Sequence, residues 1–172
     1  MDRSEFYTFS GYMKKDDNCL TASMEDYLEM IYRLSQENGF TRASSLSQAL
    51  NVQPSSATKM VQHLAQLGYV QYRKYGFIML DDKGAEIGAW LLKRHTILEN
   101  FMRSIGVSEN SLLEETEKAE HMFSPETIRC FSDLLDFLQT DAAFAAYSAA
   151  QAENKKLAPQ QTAEPANNRP QK

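Results

Sequence analysis

The stretch SSLSQALNVQPSSATKMVQHLAQLGYVQYRKYGFIML, residues 44–80, decides the fold. It opens with a short helical run over 44–50 and turns at Asn51, Val52 and Gln53. A second helix starts on Pro54, Ser55 and Ser56, because a proline in a first helical turn has no N–H partner to lose. Leu46, Ala49, Leu50, Val52, Ala57, Met60, Val61, Leu64 and Leu67 give the close-spaced apolar positions that a pair of short helices needs, and Gly68 stops the second. Residues 69–72 and 77–80 are β-prone runs joined by Arg73, Lys74, Tyr75 and Gly76, a small hairpin with a basic tip. Helix, turn, helix and basic hairpin is the order of a winged helix-turn-helix, whose second helix lies in the DNA major groove with its N-terminal residues near the bases. Ser55, Ser56, Thr58, Lys59 and Gln62 are then the base-facing candidates, and Arg73, Lys74 and Tyr75 the phosphate-facing ones. Serine-rich helix starts are also ordinary caps, and winged helices also serve as protein-interaction modules. His63 reads as a surface or phosphate-proximal residue rather than a ligand.

Upstream, residues 1–20 lack periodicity and read as a flexible arm. A helix over about 24–36 follows, with Met24, Tyr27, Leu28, Ile31 and Leu34 as its apolar stripe and Asn38-Gly39 as its end. Downstream, Asp81 or Asp82 can cap a helix running to about 104, which buries Ile87, Leu91, Leu98, Phe101 and Ile105 and closes at Gly106. Helices over 109–121 and 125–138 come next, the last rich in Ile128, Phe131, Leu134, Leu135, Phe137 and Leu138. From 139 onward Ala, Gln, Asn, Lys and Pro dominate. Residues 141–156 read as a marginal helix, and those after 157 as disordered.

At 172 residues the chain has room for one well-cored domain or two small ones sharing an interface. No apolar run approaches the roughly 18 residues that cross a bilayer, and no secretory signal is visible, so the expected location is the cytoplasm, off the membrane. Cys19 and Cys130 are too few and too far apart for a disulfide framework or a thiolate zinc site, and Cys130, among Ile128, Phe131 and Leu134, reads as a small core residue. The net charge of −5 argues against DNA binding until its distribution is read. Residues 40–95 hold seven Lys and Arg against three Asp and Glu, a local +4 that leaves −9 for the remainder. Phosphate attraction follows the local patch.

Outside residues 44–80, the chemistry concentrates in Asp26-x-x-Glu29, His95 and Glu117-x-x-Glu120-His121. Residues three or four apart share a helix face, so each cluster is a set of neighbours. His95, three or four residues from Leu91 and Leu98, points inward. Carboxylates do not converge inside a fold without a balancing cation. The bland alternatives are a Ser23–Asp26 capping box, a solvated acidic face made by Glu114, Glu115, Glu117 and Glu120, and a hydrogen-bonded core histidine. The zinc-protease H-E-x-x-H is absent, and Lys118 breaks the di-iron E-x-x-H pattern at His121. No catalytic motif remains, and the expectation is a protein that is not an enzyme.

From Ser23 to about Leu138 the chain resembles the manganese-responsive branch of the diphtheria toxin repressor family. The resemblance rests on Ser-Met-Glu-Asp-Tyr-Leu-Glu (23–29), Pro-Ser-Ser-Ala-Thr-Lys-Met-Val-Gln (54–62), Arg94-His95 followed by Glu99, and Glu-Lys-Ala-Glu-His (117–121). It implies a mainly α fold: an arm (1–20), a winged helix-turn-helix domain (21–90), an all-helical metal-binding and dimerisation domain (91–140) and a low-complexity tail (141–172). It also implies that Asp26, Glu29, His95, Glu117, Glu120 and His121 hold manganese as a pair of Mn²⁺ ions per subunit, with other divalent metals able to bind in vitro. The implied protein is a homodimer joined through its C-terminal helices. It binds operator DNA and represses manganese uptake genes when metal-loaded. Iron-responsive relatives carry Met at the position of Asp26 and Cys at that of Glu117; hard oxygen donors at both favour Mn²⁺. Such relatives also carry a C-terminal β-barrel, for which this low-complexity tail leaves no room. The competing expectations are an iron-responsive regulator of the same family, a metal-independent winged-helix regulator and, less favoured, a di-metal carboxylate enzyme.

Overall fold

A computed structural model describes residues 20–139 together with 142, 144–147 and 149–150. Residues 1–19 of the expected arm, Cys19 among them, most of the marginal helix over 141–156 and the tail beyond it lie outside the described residues. The chain divides into two compact units, the first ending at His95 and the second beginning at Thr96.

In the first unit, α1 (Ala22–Ser35) is capped by Thr21, whose hydroxyl accepts from the Met24 amide at 3.3 Å. Ser23 therefore lies inside the helix and cannot form the capping box that offered a bland role for Asp26. Gly39, at φ +75, turns the chain into β1 (Thr41–Arg42), a strand too short to have a pattern of its own. The helix pair is α2 (Ala43–Ala49) and α3 (Pro54–Gln66), with Pro54 in the first turn of α3 as expected. Asn51 takes φ +53 in the turn between them, a conformation that asparagine tolerates better than most residues. The hairpin strands β2 (Val70–Tyr72) and β3 (Phe77–Leu80) pair antiparallel, with Val70 opposite Leu80 and Tyr72 opposite Ile78. Strand β1 adds to the other edge of β3, so the sheet has three strands in the order β1-β3-β2 rather than the two of the expected hairpin.

These elements close on one core. Leu28, Ile31, Leu46, Val61, Leu64 and Ile78 are fully buried, so α1, the helix pair and the wing are held by a shared apolar centre. The first part of α4 (Asp82–Ser104) joins it through Leu91. Asp81 does not cap α4 with its side chain; its Oδ1 accepts from Gln71 Nε2 at 2.6 Å, and its carbonyl accepts from the Ala85 amide. Two glycines let α4 approach closely. A Cβ on Gly84 would lie 1.9 Å from the Tyr69 carbonyl oxygen, and one on Gly88 would lie 2.6 Å from Tyr32 Cβ.

The second unit contains the end of α4, α5 (Glu109–Ala119), a 3₁₀ turn (Glu120–Met122) and α6 (Pro125–Gln139). Leu98, Leu112, Thr116 and Ile128 are buried in it. Phe131 stacks on Phe101 at 4.3 Å and meets Phe123 edge-on at 5.2 Å. Ser124 caps α6 by accepting from the Thr127 amide. Two expectations are corrected here. Ile105 is exposed, because α4 ends at Ser104 and Gly106, at φ +99, turns the chain away. Cys130 is exposed rather than a core residue: two positions beyond buried Ile128, it lies about 200° around the helix.

Candidate metal centre and nucleic-acid interface

Helices α1 and α4 run antiparallel in the first unit. Gly88 abuts Tyr32; six residues further along α4 and seven residues back along α1, Arg94 Nη2 meets Glu25 Oε2 at 2.9 Å. Six or seven residues are about two turns, so this spacing brings His95 level with the start of α1, where Asp26 and Glu29 share a face. A ligand atom of Glu29 and one of His95 lie within 4.8 Å of each other, and both residues are buried, at 6% and 4% exposure. Asp26 is half-buried one turn earlier. Burial pushes the Tyr27 phenol above its usual pKa, and the Asp26 carboxylate adds to that shift. Arg33 Nε and Nη2 both donate to Glu29 Oε1, at 2.8 and 2.5 Å.

In the second unit α5 stops at Ala119, two residues short of the expected end, and Glu120 and His121 occupy the 3₁₀ turn. Glu120 is 1% exposed, and its Oε1 lies 3.8 Å from His121 Nε2. Glu117, on the last turn of α5, is exposed, as are Glu114 and Glu115. Glu114 pairs with Lys118, which holds its carboxyl below the usual range. Exposure thus agrees with the acidic-face reading for Glu114, Glu115 and Glu117, and burial overturns it for Glu120. Each unit carries a carboxylate–imidazole pair in which the carboxylate is buried. Oxygen and imidazole donors without thiolate suit a hard-to-borderline divalent ion, and a cation would offset the cost of burying those carboxylates. The residues present fit such a metal.

In the helix-turn-helix, α3 buries Ala57, Val61 and Leu64 and exposes Ser55, Ser56, Lys59, Gln62 and His63. Thr58 is half-buried and donates its hydroxyl to the Pro54 carbonyl at 2.9 Å, which leaves its oxygen able only to accept. At the hairpin tip Arg73, Lys74 and Tyr75 are exposed, Tyr75 by 89% and at φ +65. Gln71 Oε1 accepts from Arg73 Nη2 at 2.7 Å and so steadies the guanidinium. Sequence reading passed over Gln71, Arg33 and the Glu25–Arg94 pair. Only Arg33 had a local signal, the i,i+4 spacing from Glu29.

The fold defines a winged helix-turn-helix DNA-binding domain followed by a helical domain. Residues 19–77 match the family described as iron dependent repressor, N-terminal DNA binding domain, and residues 81–143 match iron dependent repressor, metal binding and dimerisation domain. The chain is 46% identical to the HTH-type transcriptional regulator MntR of Geobacillus kaustophilus (strain HTA426), over 70% of this chain and 86% of that protein. The chain belongs to the iron-dependent repressor family of metal-binding transcriptional regulators. Among solved structures it is similar to the manganese regulator SloR (25% identity, TM-score 0.60, 69% of this chain and 55% of that one). It is also similar to a manganese-dependent transcriptional repressor in complex with manganese (26% identity, TM-score 0.58, 66% of this chain and 53% of that one). The chain thus spans about half the length of these solved regulators. Among the described residues no helix is long and apolar enough to cross a membrane.

Proposed function

We propose that this protein is a Mn²⁺-activated repressor of manganese uptake genes, acting in the cytoplasm as a homodimer on operator DNA and without catalytic activity. Asp26, Glu29, His95, Glu117, Glu120 and His121 are the proposed ligands, holding two ions per subunit. The observation that carries this reading is the buried carboxylate–imidazole pair in each unit, Glu29 with His95 and Glu120 with His121. The 46% identity to a regulator named MntR supports manganese as the metal. Mn²⁺ is the weakest binder of the first-row divalent series, so all-oxygen and nitrogen ligation must select it by geometry rather than by raw affinity.

In this reading the metal would supply positive charge that offsets the burial of the carboxylates in each donor set. The chain's own contribution is to hold those donors on α1, which packs in the core of the DNA-binding domain, on α4, and on the last turn of α5 with the 3₁₀ turn after it. Ligation by these residues would favour the DNA-competent arrangement. Duplexes selected from a random library with MnCl₂ present, followed by anisotropy titration with and without MnCl₂, test the switch. Tight binding only with metal is the expected result. Equal affinity in both conditions would leave a metal-independent winged-helix regulator instead.

A further inference from the structure

Glu29 has a cationic partner within its own helix: the Arg33 guanidinium, one turn along α1. Both N–H contacts, from Nε at 2.8 Å and Nη2 at 2.5 Å, fall on the same oxygen, Oε1. The Glu29 side chain is only 8% exposed, whereas the Arg33 side chain is 36% exposed. The pair is therefore a buried ligand candidate held by a cation that reaches it from solvent. A divalent ion arriving at Glu29 must either displace that guanidinium or use Oε2 with a positive charge a few ångströms away. Either route costs the metal-bound state something that the metal-free state does not incur. Conversely, the guanidinium compensates the buried carboxylate when no metal is bound.

We propose that Arg33 is a built-in counter-cation that takes the place of metal at Glu29 and thereby raises the Mn²⁺ concentration at which the site fills. The inference rests on the proposed ligand role of Glu29 and adds a residue that sets the response threshold. It makes two opposite predictions for one substitution, which a merely structural role for Arg33 does not. Arg33→Met removes the competing charge while keeping the length of the side chain. The metal-free variant melts at a lower temperature than the parent, because Glu29 loses its compensating partner. The same variant binds Mn²⁺ about three- to fivefold more tightly, the scale of a partly exposed ion pair. Arg33→Lys, which retains the charge, stays close to the parent in both. Calorimetric titration of the full chain with MnCl₂ and thermal melts of the metal-free protein give the two readouts. Equal or weaker Mn²⁺ binding by Arg33→Met overturns the role of Arg33 alone. Absence of Mn²⁺ uptake by the parent overturns it together with the proposed function.

Discussion

Tyr75 shows how much a single residue can say about use. It stands at the tip of the wing, 89% exposed, in a left-handed conformation that a bulky side chain adopts only at a cost of order 1 kcal/mol. An aromatic side chain with almost nothing of its own fold to touch is held in that conformation beside Lys74 and Arg73. Glycine at the same position adopts φ +65 without strain, at the expense of extra freedom in the unfolded chain. Tyr75→Gly therefore leaves the melting temperature unchanged or slightly raised while weakening operator binding. Melts and anisotropy on the same preparation check this. A clear fall in melting temperature would mean that Tyr75 serves the fold rather than the nucleic acid.

At the scale of elements, the close contact of α1 and α4 governs the Glu29–His95 pair. The contact depends on Gly88: a methyl group there would sit 2.6 Å from Tyr32 Cβ, an atom that cannot move without its backbone. Gly88→Ala forces the helices apart and destabilises the first unit by about 1–3 kcal/mol, as overpacking of a close interface does. Thermal or urea unfolding measures it, and a variant as stable as the parent would disprove the tight contact. This close approach was not legible in the sequence, where Gly88 is one small residue in a helical pattern; nor was the Glu25–Arg94 pair, which joins residues far apart in the chain. The helix pair and the wing strands were legible, because their apolar spacing, Pro54 and Gly68 are local signals. The inward aim of His95 was legible from Leu91 and Leu98 on either side. The early end of α5, the exposure of Cys130 and strand β1 were not. A 3₁₀ turn differs from a last helical turn by tertiary packing, Cys130 sits among apolar letters that face elsewhere, and two residues cannot show a period.

At the scale of the whole molecule, operator recognition by a winged helix-turn-helix usually needs two copies, since a dimer places two recognition helices on successive half-sites. The match of residues 81–143 to a metal binding and dimerisation domain assigns pairing to the second half of the chain. Within that unit Leu113, Leu134 and Phe137 are large apolar side chains left 63%, 43% and 65% exposed. On α6, Leu134 and Phe137 are three residues apart and so lie on one face, while Ile128 and Leu135 point into the unit's own core. Covering such a face with a second copy removes apolar surface from water without disturbing the packing of either subunit. Phe137→Asp places a charge in that face, and its exposure means the subunit still folds. The variant sediments as a monomer, retains its thermal transition and loses most of its operator affinity even when saturated with Mn²⁺. Sedimentation velocity decides the matter: a variant that remains dimeric at micromolar concentration would move the dimer contact off this face of α6.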